Sequence, residues 1–123
     1  MTGKQLYEQA LSLLGMTDED AAELEPMACG CINQMLSDHL YENNAMLYSR
    51  GSHGSAAAAQ ISDLEEEIPY EEMLVRECFP YGLAAMLIAS DDHTMFNWMM
   101  NEYERRVDYY APCVMTDLKG MEE

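Results

Sequence analysis

The chain has 123 residues, of which 49% are hydrophobic, so it can build one domain with a packed core. Its 23 acidic and 6 basic side chains give a formal net charge of −17 at pH 7, which argues against binding nucleic acid through a basic patch. The longest apolar run, residues 81–89, is too short to cross a bilayer, and the opening residues lack the pattern of a secretion signal.

Two helices are predicted in the first half of the chain. Residues 4–14 carry apolar side chains at helical spacing, with Thr2 as N-cap and Gly15 as the stop. A long second helix is predicted over 20–49, where the apolar positions come close to an a/d stripe. A proline is tolerated early in a helix, so Pro26 marks a first turn or a restart.

A long loop and a buried helix follow. Gly, Ser and Ala dominate residues 51–62, which predicts a flexible loop between helices 2 and 3. Pro69 then opens a third helix that runs to about Ala89 and is apolar on nearly all sides, as is typical of a central helix. Pro80 is expected to kink this helix, because the backbone bond to the Arg76 carbonyl is lost.

The fourth helix is predicted over about 92–110, with Ser90, Asp91 and Asp92 as capping residues. An extended tail over about 111–123 follows it. The sequence thus predicts one all-α domain spanning 1–123. It is a bundle of about four helices, with two long antiparallel helices, a kinked central helix, a long loop between helices 2 and 3, and an extended C-terminal tail.

Side chains that could carry chemistry are few. Cys29 and Cys31 lie two apart and point to different faces of a helix, which does not suit a zinc site. Asp91, Asp92 and His93 stand at a helix start, where such residues more often cap the helix than bind a cation. No nucleophile elbow, phosphate-binding loop or helical His-Glu motif is present. We therefore expect no catalytic residue, no cofactor and no metal, and we expect the cysteines to be free thiols in a reducing compartment.

Six residues are candidates for a contact with another protein. Trp98 lies off the apolar stripe of its helix, and tryptophan is enriched at interaction hot spots. The acidic run Glu65, Glu66 and Glu67 is either a solvated face or a docking surface for a basic partner. The other two candidates are Tyr81 and Tyr109.

Several motifs along residues 4–110 occur in a distinctive order. They are LYEQALSLLG at 6–15, INQML at 32–36 with ENN at 42–44, LEEEIPY at 64–70, FPYGLA at 79–84, the Asp91-Asp92 pair and YERR at 103–106. This order resembles the small head–tail connector proteins, also called adaptor or neck proteins, of tailed bacteriophages and prophages.

The resemblance implies a structural subunit without catalytic residues. Subunits of that family form a ring, typically twelvefold, below the portal, and DNA passes through its lumen without specific binding. The implied partners are other copies of the chain, the portal protein, and tail or neck proteins. The implied location is the head–tail interface of the virion, with the host bacterial cytoplasm during assembly. A lumen lined by carboxylates would not hold the genome, which gives the acidic charge a reason.

A second hypothesis comes from the net charge alone. A small acidic protein can mimic DNA and occupy the basic cleft of a partner such as a nuclease or repressor. A mimic should place its carboxylates in phosphate-like rows, whereas most acids of this chain flank helix starts and loops. An enzyme ranks third.

Overall fold

The computed structural model describes residues 1–17, 19 and 21–111. A π-helical segment, Leu74–Cys78, directly precedes the fourth of five α-helices, which are α1 (Gly3–Leu14), α2 (Glu25–Asp38), α3 (Leu40–Ser49), α4 (Phe79–Ile88) and α5 (His93–Tyr110). These residues contain no strand and one isolated bridge, between Thr2 and Glu67. The all-α prediction is confirmed, with one more helix than predicted. The predicted tail lies outside the described residues apart from Ala111.

Helix α1 begins and ends where the sequence predicts. The Thr2 hydroxyl accepts a hydrogen bond from the Gln5 N–H at 3.1 Å, and the Thr2 N–H donates to Gln5 Oε1 at 2.9 Å. This reciprocal capping box satisfies two backbone donors that a helix start leaves free. Gly15 ends the helix with a φ of +70°, a left-handed conformation that glycine adopts without strain.

The single helix predicted over 20–49 is wrong. Residues 21–24 form turns, α2 begins at Glu25 with Pro26 in its first turn, and the chain bends at His39 before α3. In a continuous helix the Leu36 carbonyl would accept a hydrogen bond from the backbone N–H of Leu40. Here it accepts a hydrogen bond from the hydroxyl of Tyr70. A side chain from a distant segment has thus entered the helical hydrogen-bond ladder, a recognised cause of helix bending.

The central helix is irregular next to Pro80, where the sequence predicts a kink, and its irregularity takes the form of a π-helical turn. The Phe79 N–H bonds to the Leu74 carbonyl, five residues back, and Pro80 follows in the first turn of α4. The wider turn lies just before the proline, which has no N–H to donate. Helix α4 is buried along most of its length and packs against α1, α2 and α5.

Gly82 explains how closely these helices approach. A Cβ atom at this position would lie 2.8 Å from the Met35 sulfur of α2 and 2.8 Å from Cζ of the Tyr103 ring of α5. These separations are below van der Waals contact, so only glycine lets α4 pass between the two side chains without displacing them.

A buried polar cluster joins α3 to the start of the central helix. Glu71 is almost fully buried, and its N–H donates to Asn43 Oδ1 at 2.6 Å. Its carboxylate accepts the Met73 N–H at 2.7 Å and lies 2.6 Å from Nη1 of Arg50. The cluster therefore fixes where the central helix begins.

Two asparagines hold the long connection between α3 and the central helix. Asn33 accepts the Ile61 N–H at 2.8 Å and donates to the Ile61 carbonyl at 3.0 Å. Asn44 makes the same pair of bonds with Ser55, at 2.9 Å and 2.7 Å. Each side-chain amide thus pairs with the connection as a neighbouring strand would. The flexibility predicted for residues 51–62 stays a prediction.

Replacing Asn33 with alanine should lower the free energy of unfolding by about 1–2 kcal/mol, because both polar groups of the buried Ile61 lose their partner. Amide hydrogen exchange at Ile61 should speed up in the same variant. Gln34→Ala is the control, because the Gln34 side chain bonds Asp38 along its own helix and makes no contact with Ile61. It should leave the exchange at Ile61 unchanged. Equal exchange in the two variants would contradict the role of Asn33.

Candidate functional site

The described residues offer little for nucleophilic or metal chemistry. Burial raises the pKa of Cys29 and Cys31, and it raises the pKa of Cys78 to about 12. A thiol with a raised pKa is a poor source of thiolate. No group of three or more acidic, histidine or cysteine side chains in the described part is placed to hold a metal ion. Within the same residues no helix has the length and apolar character needed to cross a membrane.

An exposed stripe runs along α5. Trp98, Glu102, Arg105 and Tyr109 are spaced four, three and four residues apart, which places them on one face of the helix. Trp98 is 57% exposed and Tyr109 is 72% exposed, and the two aromatic side chains stand about 16 Å apart along the helix axis. We call these four residues the α5 stripe. Large aromatic side chains at both ends make it a candidate contact surface.

Trp98 stands beside an open apolar groove between α1 and α5. The groove has a volume of about 480 Å³ and is lined by Leu13, Asp92, Thr94, Met95, Trp98 and Met99. Its wall is fixed at the helix start, where the Asp92 carboxylate caps the Met95 N–H at 2.9 Å. Unbranched methionine side chains adapt easily to a partner surface. The exposed indole therefore lies next to side chains that can reshape around a neighbour.

An ion-pair fork occupies the middle of the α5 stripe. Arg105 donates from Nη2 to Glu102 Oε1 at 2.5 Å and from Nε to Oε2 at 3.2 Å, and Arg106 donates from Nε to Oε1 at 3.0 Å. Hydrogen bonds from Arg105, then from Arg106, hold the pKa of Glu102 below its usual range. The carboxylate thus stays charged and keeps the two guanidinium groups in place.

Tyr81 supports this arrangement from α4. The guanidinium carbon of Arg106 lies 4.2 Å from the centre of the Tyr81 ring, a cation–π contact, and Arg106 Nη1 donates to the Glu77 carbonyl at 3.3 Å. Arg76 lines the same groove as Tyr81 and Arg106. Half of the six basic side chains of the chain, Arg76, Arg105 and Arg106, therefore collect on this side of the protein.

The acidic run lies elsewhere, packed against the start of α1. Glu67 forms an ion pair with the amino group of Met1 at 2.8 Å, and Glu66 accepts the N–H groups of Ser62 and Asp63, the latter at 3.3 Å. Glu65 is exposed, and its backbone N–H donates to Asp63 Oδ1 at 2.8 Å. Two of the three predicted carboxylates thus hold their own loop, which leaves Glu65 open to a partner.

Glu65 borders a third groove, which the sequence did not predict. It has a volume of about 470 Å³ and is lined by Ala22, Glu25, Pro26, Cys29, Asp63, Leu64 and Glu65. We call it the acidic groove. It shares no residue with the α5 stripe. Its two sides come from segments about 40 residues apart, brought together by folding, so no local sequence signal could have revealed it.

The six predicted interface residues therefore fall into two places. Trp98 and Tyr109 lie on the α5 stripe, with Tyr81 behind it. Glu65, Glu66 and Glu67 lie in the loop against the start of α1, and of these three only Glu65 lines the acidic groove. Comparisons of the chain with protein-family models, curated proteins and solved structures find no match.

Proposed function

We propose that the protein is a structural subunit of the head–tail junction of a tailed bacteriophage or prophage. Copies of the chain form a ring below the portal, and DNA passes through the ring without being held. The proposal rests on the order of motifs in the sequence and on the surface features described above.

The α5 stripe is the observation that carries the proposal. A tryptophan and a tyrosine are exposed on one face of α5, and an assembling subunit can bury both. The polar groups between them already pair with each other, so they can enter an interface without leaving an unpaired charge. These properties suit a surface that is covered in an assembly.

The charge of the chain supports the same proposal. A net charge of −17 repels DNA, which suits a channel through which a genome must move. The alternative, an acidic DNA mimic or regulator that binds a basic partner, draws on the same charge. It has less support because Glu66 and Glu67, in the densest acidic run, bond within their own chain.

Electron microscopy of the protein mixed with its cognate portal tests the proposed function. We expect portal particles to gain an added ring of density on the tail side. Portal particles without added density, together with a chain that stays monomeric at its highest soluble concentration, would refute the proposal. Binding to a DNA-binding protein in competition with DNA would instead favour the acidic mimic.

Trp98→Ala should weaken assembly by about tenfold or more while leaving the helical content and melting temperature nearly unchanged, because the indole is mostly exposed in the single chain. The measurement is the concentration dependence of oligomer formation by sedimentation, with circular dichroism for the fold. Tyr48→Ala is the matched control, since Tyr48 is 51% exposed on α3 and lies outside the α5 stripe. Loss of the fold in Trp98→Ala would make the residue structural.

A further inference from the structure

Two surfaces of the chain carry groups that can bind each other. The α5 stripe carries two exposed aromatic rings and the exposed Arg105, which is paired with Glu102 of the same stripe. The acidic groove is an open groove whose lining includes Glu25, Asp63 and Glu65. The two surfaces share no residue, so one copy can use both at once.

The acidic groove has apolar as well as charged lining residues. Pro26 and Leu64 line it together with Ala22 and Cys29. Its three carboxylates, Glu25, Asp63 and Glu65, give the groove a negative charge, and after burial the charges of Glu66 and Asp63 also raise the pKa of Cys29. The apolar side chains can pack against an aromatic ring, and the carboxylates attract a cation.

Arg105 is the cation of the α5 stripe, and one of its terminal nitrogens is available to bind a carboxylate of the groove. It uses Nε and Nη2 on Glu102, and its side chain remains 65% exposed. Its other terminal nitrogen bonds no carboxylate of the described residues, so it can bond a carboxylate from outside. Guanidinium groups carry enough donors to bridge two carboxylates in this way.

We propose that the α5 stripe of one copy docks in the acidic groove of the next copy. Trp98 packs against Pro26 and Leu64 of the groove, and Arg105 pairs with Glu65. This docking rests on the proposed function, since it names the contact through which the copies of the ring would meet. It also gives Glu65 a partner outside its own chain.

The docking is head-to-tail. Each copy offers one stripe and one groove, so every bound copy still presents a free surface to a further copy until the chain of subunits closes on itself. A contact of the stripe with the same stripe of a second copy would stop at a dimer. The proposal therefore requires assemblies larger than two.

Charge reversal at the two named residues tests the docking. Arg105→Glu and Glu65→Arg, each alone, should weaken assembly about tenfold or more, because each places like charges against each other. The double variant should recover assembly to within about threefold of the unchanged chain, since the pair is restored with its signs exchanged. Sedimentation and native mass spectrometry measure oligomer size and affinity, and circular dichroism checks the fold.

Arg76→Glu is the matched control. Arg76 is 55% exposed and pairs with Glu72 one helical turn away, outside the α5 stripe, so its reversal should leave assembly unchanged. A double variant that stays as weak as the single variants would overturn the docking, as would assembly that stops at a dimer. Loss of portal binding with self-assembly intact in Arg105→Glu would assign the stripe to the portal instead.

The docking and the ring proposal can fail separately. A ring on the portal that forms equally well with both single reversals would overturn the docking and leave the proposed function standing. Portal particles without any added ring would refute the proposed function, whatever the reversals do to self-association in solution.

Discussion

Phe79→Ala should lower the free energy of unfolding by about 3–5 kcal/mol, the usual cost of deleting a fully buried aromatic side chain. Phe79 has no exposed surface and lies where the π-helical segment meets α4. Its ring centre is 6.1 Å from that of His39 and 6.4 Å from that of Tyr70. Because these three side chains come from the α2–α3 bend, the long connection and the central helix, the cavity would loosen all of them. Urea unfolding followed by circular dichroism measures the loss.

The second phenylalanine of the chain provides the control. Phe96 is only half-buried and stacks on His93 in the first turn of α5, with ring centres 6.0 Å apart. Phe96→Ala removes the same atoms from a site that water already reaches. It should therefore lower the free energy of unfolding by less than half as much as Phe79→Ala. Equal losses for the two variants would contradict the central position of Phe79.

Arg50→Ala should cost about 3 kcal/mol, although Arg50 itself is largely exposed. Its loss leaves the buried Glu71 carboxylate without its cation, and Glu71 Oε1 has no other partner within the described residues. Removing one member of such a pair is costly because the other charge stays buried and uncompensated. Thermal unfolding monitored by circular dichroism measures the change in stability.

A second substitution separates this effect from loss of contacts by Arg50. In the double variant Arg50→Ala with Glu71→Gln, the buried group is neutral, and its amide oxygen can still accept the Met73 N–H. Most of the lost stability should return. Stability that falls further in the double variant would show that the cost of Arg50→Ala does not come from the buried charge of Glu71.

The helices that the sequence predicted best are those defined by local signals. Thr2 and Gly15 mark the two ends of α1, and Asp92 caps α5, each by a bond to a residue within three or four positions. The bend at His39 escaped prediction because its cause is not local. The Tyr70 hydroxyl that donates a hydrogen bond to the Leu36 carbonyl lies 34 residues further along the chain.

The candidate site also contains some features that the local sequence predicts and others that depend on how the chain folds. Trp98 could be selected from its position outside the apolar stripe of α5, and it is indeed exposed. The sequence alone did not reveal that Glu66 is used within its own loop, because this depends on turns at Ser62 and Asp63. The acidic groove could not be predicted either, since it exists only once the loop packs against the start of α2.

The paired bonds of Asn33 and Asn44 have a consequence for protein engineering. They fix the connection at Ile61 and Ser55, and the residues between these two points are exposed or half-buried. A peptide inserted there lengthens a loop whose two ends are anchored. The entropic cost of closing such a loop grows only slowly with its length. Residues 56–58, which lie outside both the α5 stripe and the acidic groove, are therefore the place to insert an affinity tag or fluorescent label.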